Sequence, residues 1–290
     1  MLRVLAVLAA VPCAPALRAA RGYPALELPG IPLKGSSRPM PAMGFGTCCR
    51  KTSQGQALVN STKIFLRLGG RHIDTAQKYS NHKDIKRAIQ ESGVPREELW
   101  ITSKVNTITS NLTREGVVQA VDDSLRELNL AYLDLMLLHR PAVDPALRAE
   151  QWRGLIDAKV AGKVLNIGVS NYDVAMIKGL INATGVAPAV NQMGFNPANA
   201  HAKRKIVRFC VDNGIAVTAF GSVRDQTTKD KVSYFSKMHN ATGAQLLLRW
   251  AMDQGVSVIP GATSEEHISE NLRTPTFHLA PNEVQELEQR

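Results

Sequence analysis

Four side chains of uncommon chemistry fall at or just beyond the ends of apolar runs: Asp74, Tyr79, Lys104 and His139. Asp74 closes Arg71-His72-Ile73, and Tyr79 follows five residues later. Lys104 closes Leu99-Trp100-Ile101-Thr102-Ser103, and His139 closes Leu133-Asp134-Leu135-Met136-Leu137-Leu138. If those runs are parallel strands of one barrel, all four groups reach the same mouth. A phenol with an ordinary pKa near 10 needs that value lowered to serve as a general acid at neutral pH. A nearby ammonium does this by stabilising the phenolate, so Lys104 is the expected partner of Tyr79, and Asp74 is expected to fix Lys104. His139 would donate a hydrogen bond to a carbonyl oxygen. Such a set suits the reduction of an aldehyde or ketone. Singly, each residue has an ordinary structural reading: a core ion pair, a rim tyrosine, a satisfied core histidine. Their convergence is what carries the chemistry.

The elements that must position these groups follow from periodicity. Short apolar segments near 43–47, 71–75, 99–104, 133–139, 165–170, 188–193, 215–220 and 256–260 read as strands. Longer patterns near 55–69, 82–93, 113–128, 147–162, 173–183, 200–213, 240–254 and 264–271 read as helices, with a further helix from Pro281. In 113–128, Val117, Val121, Leu125 and Leu128 recur at three- and four-residue steps, which puts them on one buried face. Ala244, Leu247, Leu248 and Ala251 form a similar stripe. Gly162, Gly214 and Gly255 stand where helices should stop. Eight strand–helix units in series predict an α/β fold, a closed (β/α)8 TIM barrel, and Met43 to Arg290 is close to the ~250 residues typical of it. An open doubly wound sheet should carry a glycine-rich fingerprint after its first strand. Gly44-Phe45-Gly46-Thr47-Cys48-Cys49 lacks the third glycine. Before the barrel, Leu26-Glu27-Leu28 and Ile31-Pro32-Leu33 around Pro29-Gly30 predict an N-terminal β-hairpin. Barrel chemistry gathers at the C-terminal ends of strands. The polar residues there are Asp74, Lys104, His139, Ser170, Asn171 and Gln192.

The chain has 290 residues, a formal charge of +10 and 44% hydrophobic residues. The charge favours anionic ligands such as nucleotide phosphates. The basic residues are scattered, without the basic helix or aromatic interleaving of a nucleic-acid reader, so no nucleic-acid partner is expected. Residues 1–22 begin Met1-Leu2-Arg3, run apolar from Val4 to Val11, and carry Arg18 and Arg21, with no acidic residue before Glu27. This reads as a secretory signal peptide, or as a transit peptide for a plastid or mitochondrion, or as a frayed extension. The barrel domain is then 23–290. No run after this segment approaches the ~20 residues that span a bilayer. Of four cysteines, Cys13 lies in the leader, and Cys48, Cys49 and Cys210 form no disulfide framework or zinc site; the adjacent pair would bridge only with strain. The seven histidines form no paired ligand motif, so no metal is expected. Asn60, Asn111, Asn182 and Asn240 begin glycosylation sequons that matter only in a secretory compartment.

Several motifs go further: Met40-Pro41-Ala42-Met43-Gly44-Phe45-Gly46-Thr47; Gly70-Arg71-His72-Ile73-Asp74-Thr75-Ala76 with Tyr79; Val94 through Lys104; Leu137-Leu138-His139-Arg140-Pro141; Ile167-Gly168-Val169-Ser170-Asn171; Asn191-Gln192; and Val258-Ile259-Pro260. In their order and spacing the chain resembles the aldo-keto reductase family from residue 38 onward. The resemblance implies carbonyl reduction with NADPH as hydride donor, a small-molecule carbonyl substrate and a monomer. It implies that Tyr79 is the proton donor, tuned by Lys104 and Asp74, and that His139 orients the carbonyl. It places Ser170, Asn171 and Gln192 on the nicotinamide carboxamide, whose donors and acceptors those side chains match. Phe220 falls where an aromatic ring stacks on the nicotinamide. Gly46 and Thr47, Gly221 and Ser222, and Gly261, Ala262, Thr263, His267 and Asn271 are the other cofactor positions it implies.

The departures from the pattern concern specificity. Where the family has Lys-Ser and then an arginine for the adenosine 2′-phosphate, this chain has Gly261, Ala262 and His267, so NADH is possible as well as NADPH. Cys48 stands in the substrate pocket in place of a tryptophan. The loops after His139 and Phe220 are short, no long tail follows the last helix, and an open, less apolar pocket is expected. A second reading is a non-catalytic nucleotide-binding or regulatory subunit on the same barrel.

Overall fold

The computed structural model describes residues 26–107, 112–224 and 229–289. The proposed leader, 1–22, and the sequon residue Asn111 lie outside them. Eight parallel strands run in chain order around one sheet: β3 (Phe45–Gly46), β4 (His72–Asp74), β5 (Trp100–Val105), β6 (Leu133–Leu138), β7 (Val164–Ser170), β8 (Val190–Gly194), β9 (Ala216–Phe220) and β10 (Ser257–Val258). The sheet closes where Met43 pairs in parallel with Val258. There the Gly44 N–H donates to the Val258 carbonyl at 2.8 Å, and the Gly46 N–H to that of Pro260 at 3.0 Å. Gly46 suits this seam, because a Cβ there would collide with the Ile259 carbonyl oxygen.

Helices α1 (Gly55–Arg67), α2 (His82–Ser92), α3 (Arg114–Leu128), α4 (Pro145–Val160), α5 (Val174–Thr184) and α6 (Ala200–Asp212) each follow one of β3 to β8. Their limits come from the local sequence. Asp144 caps α4 by accepting from the Ala146 and Leu147 N–H groups, and Pro145 occupies the first turn, where its missing N–H costs nothing. Thr113 caps α3, and Asn129, at φ 55°, ends it. Gly162, Gly214 and Gly255 do adopt left-handed backbone, at φ 72°, 68° and 74°. On α3, Val117, Val121 and Leu128 are buried, and Leu125 packs half-buried against the core.

Two sequence expectations need correction. The hairpin exists, but its strands are β1 (Gly30–Ile31) and β2 (Met40–Pro41), so the chain reverses across 32–39 and not at Pro29-Gly30. Packing decides this register: Leu33 and Met40 bury against Trp100, Leu135, Leu137 and Val190, plugging the end of the barrel opposite the strand C-termini. Between β9 and α8 (Gly243–Met252) lies a helix the periodicity did not reveal, α7 (Lys229–Met238). Its inward face offers chiefly Phe235 and Ser236, too little apolar surface to register as a stripe. Helices α9 (Glu265–Leu272) and α10 (Pro281–Glu288) follow β10.

Candidate active site

The parallel register brings the polar strand ends together. Asp74 ends β4, Lys104 lies one residue before the end of β5, and His139 follows β6 directly. Ser170 and Phe220 end β7 and β9, and Gln192 sits within β8. Lys104 is fully buried, and its ammonium donates to Asp74 Oδ1 at 2.6 Å and to the Thr75 carbonyl at 2.8 Å. Gln192 Nε2 donates to the other carboxylate oxygen, Asp74 Oδ2, at 2.7 Å. The carboxylate is thus held from both sides, as a buried charge requires. Tyr79 closes a single 3₁₀ turn (Gln77–Tyr79) after β4. Lys104 Nζ lies 5.0 Å from the centre of its ring. The His139 ring meets the Tyr79 ring edge-on, with centres 5.6 Å apart.

Electrostatics define protonation states. Burial pulls the Lys104 amine down, but Asp74 and the Tyr79 phenol outweigh burial and hold it above its ordinary value, so it stays an ammonium. Tyr79 departs from the sequence expectation. Burial raises its pKa, and the opposing effect of Lys104 does not cancel that rise, so the phenol is held neutral. The ammonium is visible in the sequence, but the desolvation that outweighs it comes from how deeply the ring is buried. His139 is pushed down to about 3 by burial first, then by Lys104 and Arg140. Its Nδ1 is buried with no hydrogen-bond partner, so it is not a satisfied core histidine. A histidine with its folded pKa below its unfolded value binds fewer protons when folded. Stability from that difference is present above about pH 6.5 and declines as pH falls toward 3. NMR titration of the His139 ring is therefore expected to show a neutral imidazole from pH 5 to 8; a midpoint near 6.5 would contradict this environment.

A cavity of about 860 Å³ opens above this group. Tyr79, His139, Ser170, Asn171 and Gln192 line its floor, and Cys48, Phe220, Gly221, Ser222, Gly46 and Gly261 line its walls. Asn171, at φ 65°, donates from Nδ2 to Ser170 Oγ at 2.9 Å and to the His139 carbonyl at 3.3 Å. Phe220 is 36% exposed, a ring facing open space at a strand end. Ser222 is buried, with its hydroxyl donating to the Phe195 carbonyl. Cys48 and Cys49 are joined sulfur to sulfur, with Cys49 at φ 70°, an uncommon conformation for a non-glycine residue. Cys210 is free and buried.

Other expected cofactor residues lie off the cavity. Thr47 is fully buried, and its hydroxyl donates to the Asp74 carbonyl at 3.0 Å. Ala262 is buried, and Thr263 Oγ1 pairs with Thr52 Oγ1 at 2.9 Å. His267 and Asn271 sit on α9, away from the cavity lining. The sequence reading missed Asn81, Arg50 and Arg224. Asn81 is fully buried; its Nδ2 donates to the Thr47 and Ser53 carbonyls at 3.1 Å, and its Oδ1 accepts from Thr75 Oγ1 at 2.6 Å. It stitches the loop after β3 to the end of β4. No spacing marks such a residue, because its partners are loop carbonyls. Among the described residues no group of three metal-ligating side chains occurs, and no helix is long and apolar enough to cross a membrane.

An eight-stranded parallel barrel with a buried Asp–Lys pair beneath a tyrosine and a histidine defines a carbonyl-reducing class of enzyme. A profile of the aldo/keto reductase family matches residues 42–290, and the chain belongs to that family. It is 36% identical over 244 residues to methylglyoxal reductase DkgB of Escherichia coli O157:H7, covering 83% of this chain and 89% of that one. It is 34% identical over 271 residues to an NAD/NADP-dependent indole-3-acetaldehyde reductase of Schizosaccharomyces pombe, covering 89% and 93%. Among solved structures, a Bombyx mori aldo-keto reductase in complex with NADP superposes with a TM-score of 0.82 at 30% identity, over 91% of this chain and 93% of that one.

Proposed function

We propose that this chain reduces small aldehydes and ketones to alcohols, with 2-oxoaldehydes of the methylglyoxal and glyoxal type foremost, using NADPH and taking the proton from Tyr79. The observation that carries this reading is the buried Lys104, held between Asp74 and Tyr79 directly beneath a cavity that His139 also lines. The substrate class rests on likeness: relatives include the methylglyoxal reductase above and a glyoxal reductase of Bacillus subtilis, 34% identical over 251 residues and covering 86% and 88%.

The cavity residues fit a nicotinamide. Ser170, Asn171 and Gln192 present hydroxyl and amide groups on one side, and the exposed face of Phe220 lies on the wall. When bound there, NADPH supplies the hydride. The remaining work belongs to the chain. Tyr79 is neutral and so carries a proton to give. Its raised pKa does not prevent the transfer, because an alkoxide is a far stronger base than a phenolate. Lys104 receives the developing phenolate charge, and Asp74, braced by Gln192, holds Lys104 in place. His139 cannot be the acid: with a pKa of about 3 it carries no spare proton at neutral pH, but a neutral ring still has one N–H to orient the carbonyl oxygen.

The test is NADPH oxidation on a panel of methylglyoxal, glyoxal, an aryl-acetaldehyde and a simple ketone. Turnover on the 2-oxoaldehydes, exceeding that on the ketone, is expected. Tight NADPH binding with no turnover on any member would instead favour a non-catalytic nucleotide-binding subunit.

A further inference from the structure

We propose that Arg50 and Arg224, carried on two different loops, form a clamp for a phosphate group of the dinucleotide. This rests on the dinucleotide reading of the site.

Arg50 lies on the loop after β3, just past the cysteine pair, and Arg224 on a short 3₁₀ turn (Ser222–Arg224) after β9. Both line the cavity. The Arg50 guanidinium rests on Gly261: a Cβ at that position would collide with it and would lie 2.7 Å from the Gly46 carbonyl oxygen. Glycine at 261 therefore does two things. It removes a side chain from the loop after β10, and it opens the space that a guanidinium from a different loop enters. The guanidinium is fixed there by two weak bonds, from Nη1 and Nη2 to the Gly46 carbonyl, each 3.2 Å. The loop that carries it is tied to the loop after β10 by the Thr52–Thr263 hydroxyl pair.

Among the described residues no carboxylate is paired with this guanidinium. Its Nε is buried without a hydrogen-bond partner. Among the described residues the cavity is lined by Arg50, Lys51, Lys78, Arg140 and Arg224, and by no aspartate or glutamate. Arg224 and Arg50 repel one another, and burial and this neighbour both lower the proton affinity of Arg50. Structural arginines are normally paired with carboxylates, as Arg96 is with Asp134 here, at 2.7 Å. Two guanidinium groups facing one cavity that has no acid among its described lining residues are matched by a ligand with several anionic oxygens, which planar, forked donors grip in pairs. A dinucleotide offers two such groups, its diphosphate and, in NADPH, the 2′-phosphate.

The experiment is calorimetric titration of wild type, Arg50→Ala, Arg50→Lys and Arg224→Ala. The ligands are NADPH, NADH, adenosine 2′,5′-bisphosphate and inorganic pyrophosphate at fixed ionic strength, with thermal melting to confirm that each variant is folded. Arg50→Ala is expected to weaken NADPH binding about ten- to one-hundredfold, as loss of charge-assisted bonds does. Arg50→Lys should lose less, and Arg224→Ala should weaken the same ligands. Weakening confined to NADPH and the 2′,5′-bisphosphate locates the clamp on the 2′-phosphate. Equal weakening for NADH and pyrophosphate locates it on the diphosphate. Either result upholds the clamp. Affinities within twofold of wild type for all four ligands, in folded Arg50→Ala and Arg224→Ala, overturn it. Arg50-dependent binding without carbonyl turnover would retire the reductase reading and leave the clamp; turnover with Arg50-independent binding would do the reverse.

Discussion

Tyr79→Phe is expected to lower carbonyl reduction by about 10²- to 10⁴-fold while NADPH affinity stays within about twofold, because a positioned general acid contributes on that scale. The substitution removes one oxygen and keeps the ring that packs edge-on against His139. No neighbour replaces the lost proton. His139, at about 3, is neutral throughout the working range, and Lys104 already directs protons to Asp74 and the Thr75 carbonyl. The loss should fall on kcat, since the phenol acts on the reacting oxygen and not on the nucleotide. Single-turnover kinetics with a dicarbonyl substrate, beside calorimetric NADPH binding, checks both halves. Equal rates in wild type and variant would remove Tyr79 from the chemistry.

The second large effect concerns Lys104. Replacing it by Met leaves Asp74, 2% exposed, as a buried carboxylate whose remaining side-chain partner among the described residues is the Gln192 amide. Breaking a buried pair by removing one member costs about 3–5 kcal/mol. Lys104→Met is therefore expected to be destabilised on that scale in urea denaturation, and inactive as well, because nothing then receives the phenolate charge. Asp74→Asn added to Lys104→Met removes the stranded charge. The double variant should recover most of the stability and none of the activity. That split separates two roles of one lysine, stability through Asp74 and chemistry through Tyr79. A loss below about 1 kcal/mol in the single variant, the range of exposed ion pairs, would mean that the pair is not buried as described.

The barrel was legible because its signal is local. Each of Asp74, Lys104 and His139 closes or follows an apolar run, and parallel strands put all such ends at one mouth. The hairpin's existence was legible from proline and glycine, but its register depends on Met40 and Leu33 finding Trp100, a contact between distant segments. Helix α7 escaped notice because little of it is apolar on the inward face. Within the site, the identity of the proton-bearing groups could be read, but their protonation balance could not. Whether Lys104 or desolvation governs Tyr79 depends on how deeply the ring sits. The bond from Gln192 to Asp74 joins residues 118 apart in the chain, so Gln192 read only as a carboxamide partner and not also as a brace. Arg50 was invisible for a similar reason: its meaning lies in Gly261, which the chain reaches only after the barrel closes.

The most direct test of the account uses NADPH carrying deuterium at the transferring position of its nicotinamide, with methylglyoxal in ordinary water. Wild type is predicted to form an alcohol with one deuterium on the carbinol carbon, and Tyr79→Phe to form almost none in the same time. Cofactor bound tightly by the folded wild-type protein, with no labelled alcohol from methylglyoxal or any other carbonyl offered, would contradict the account.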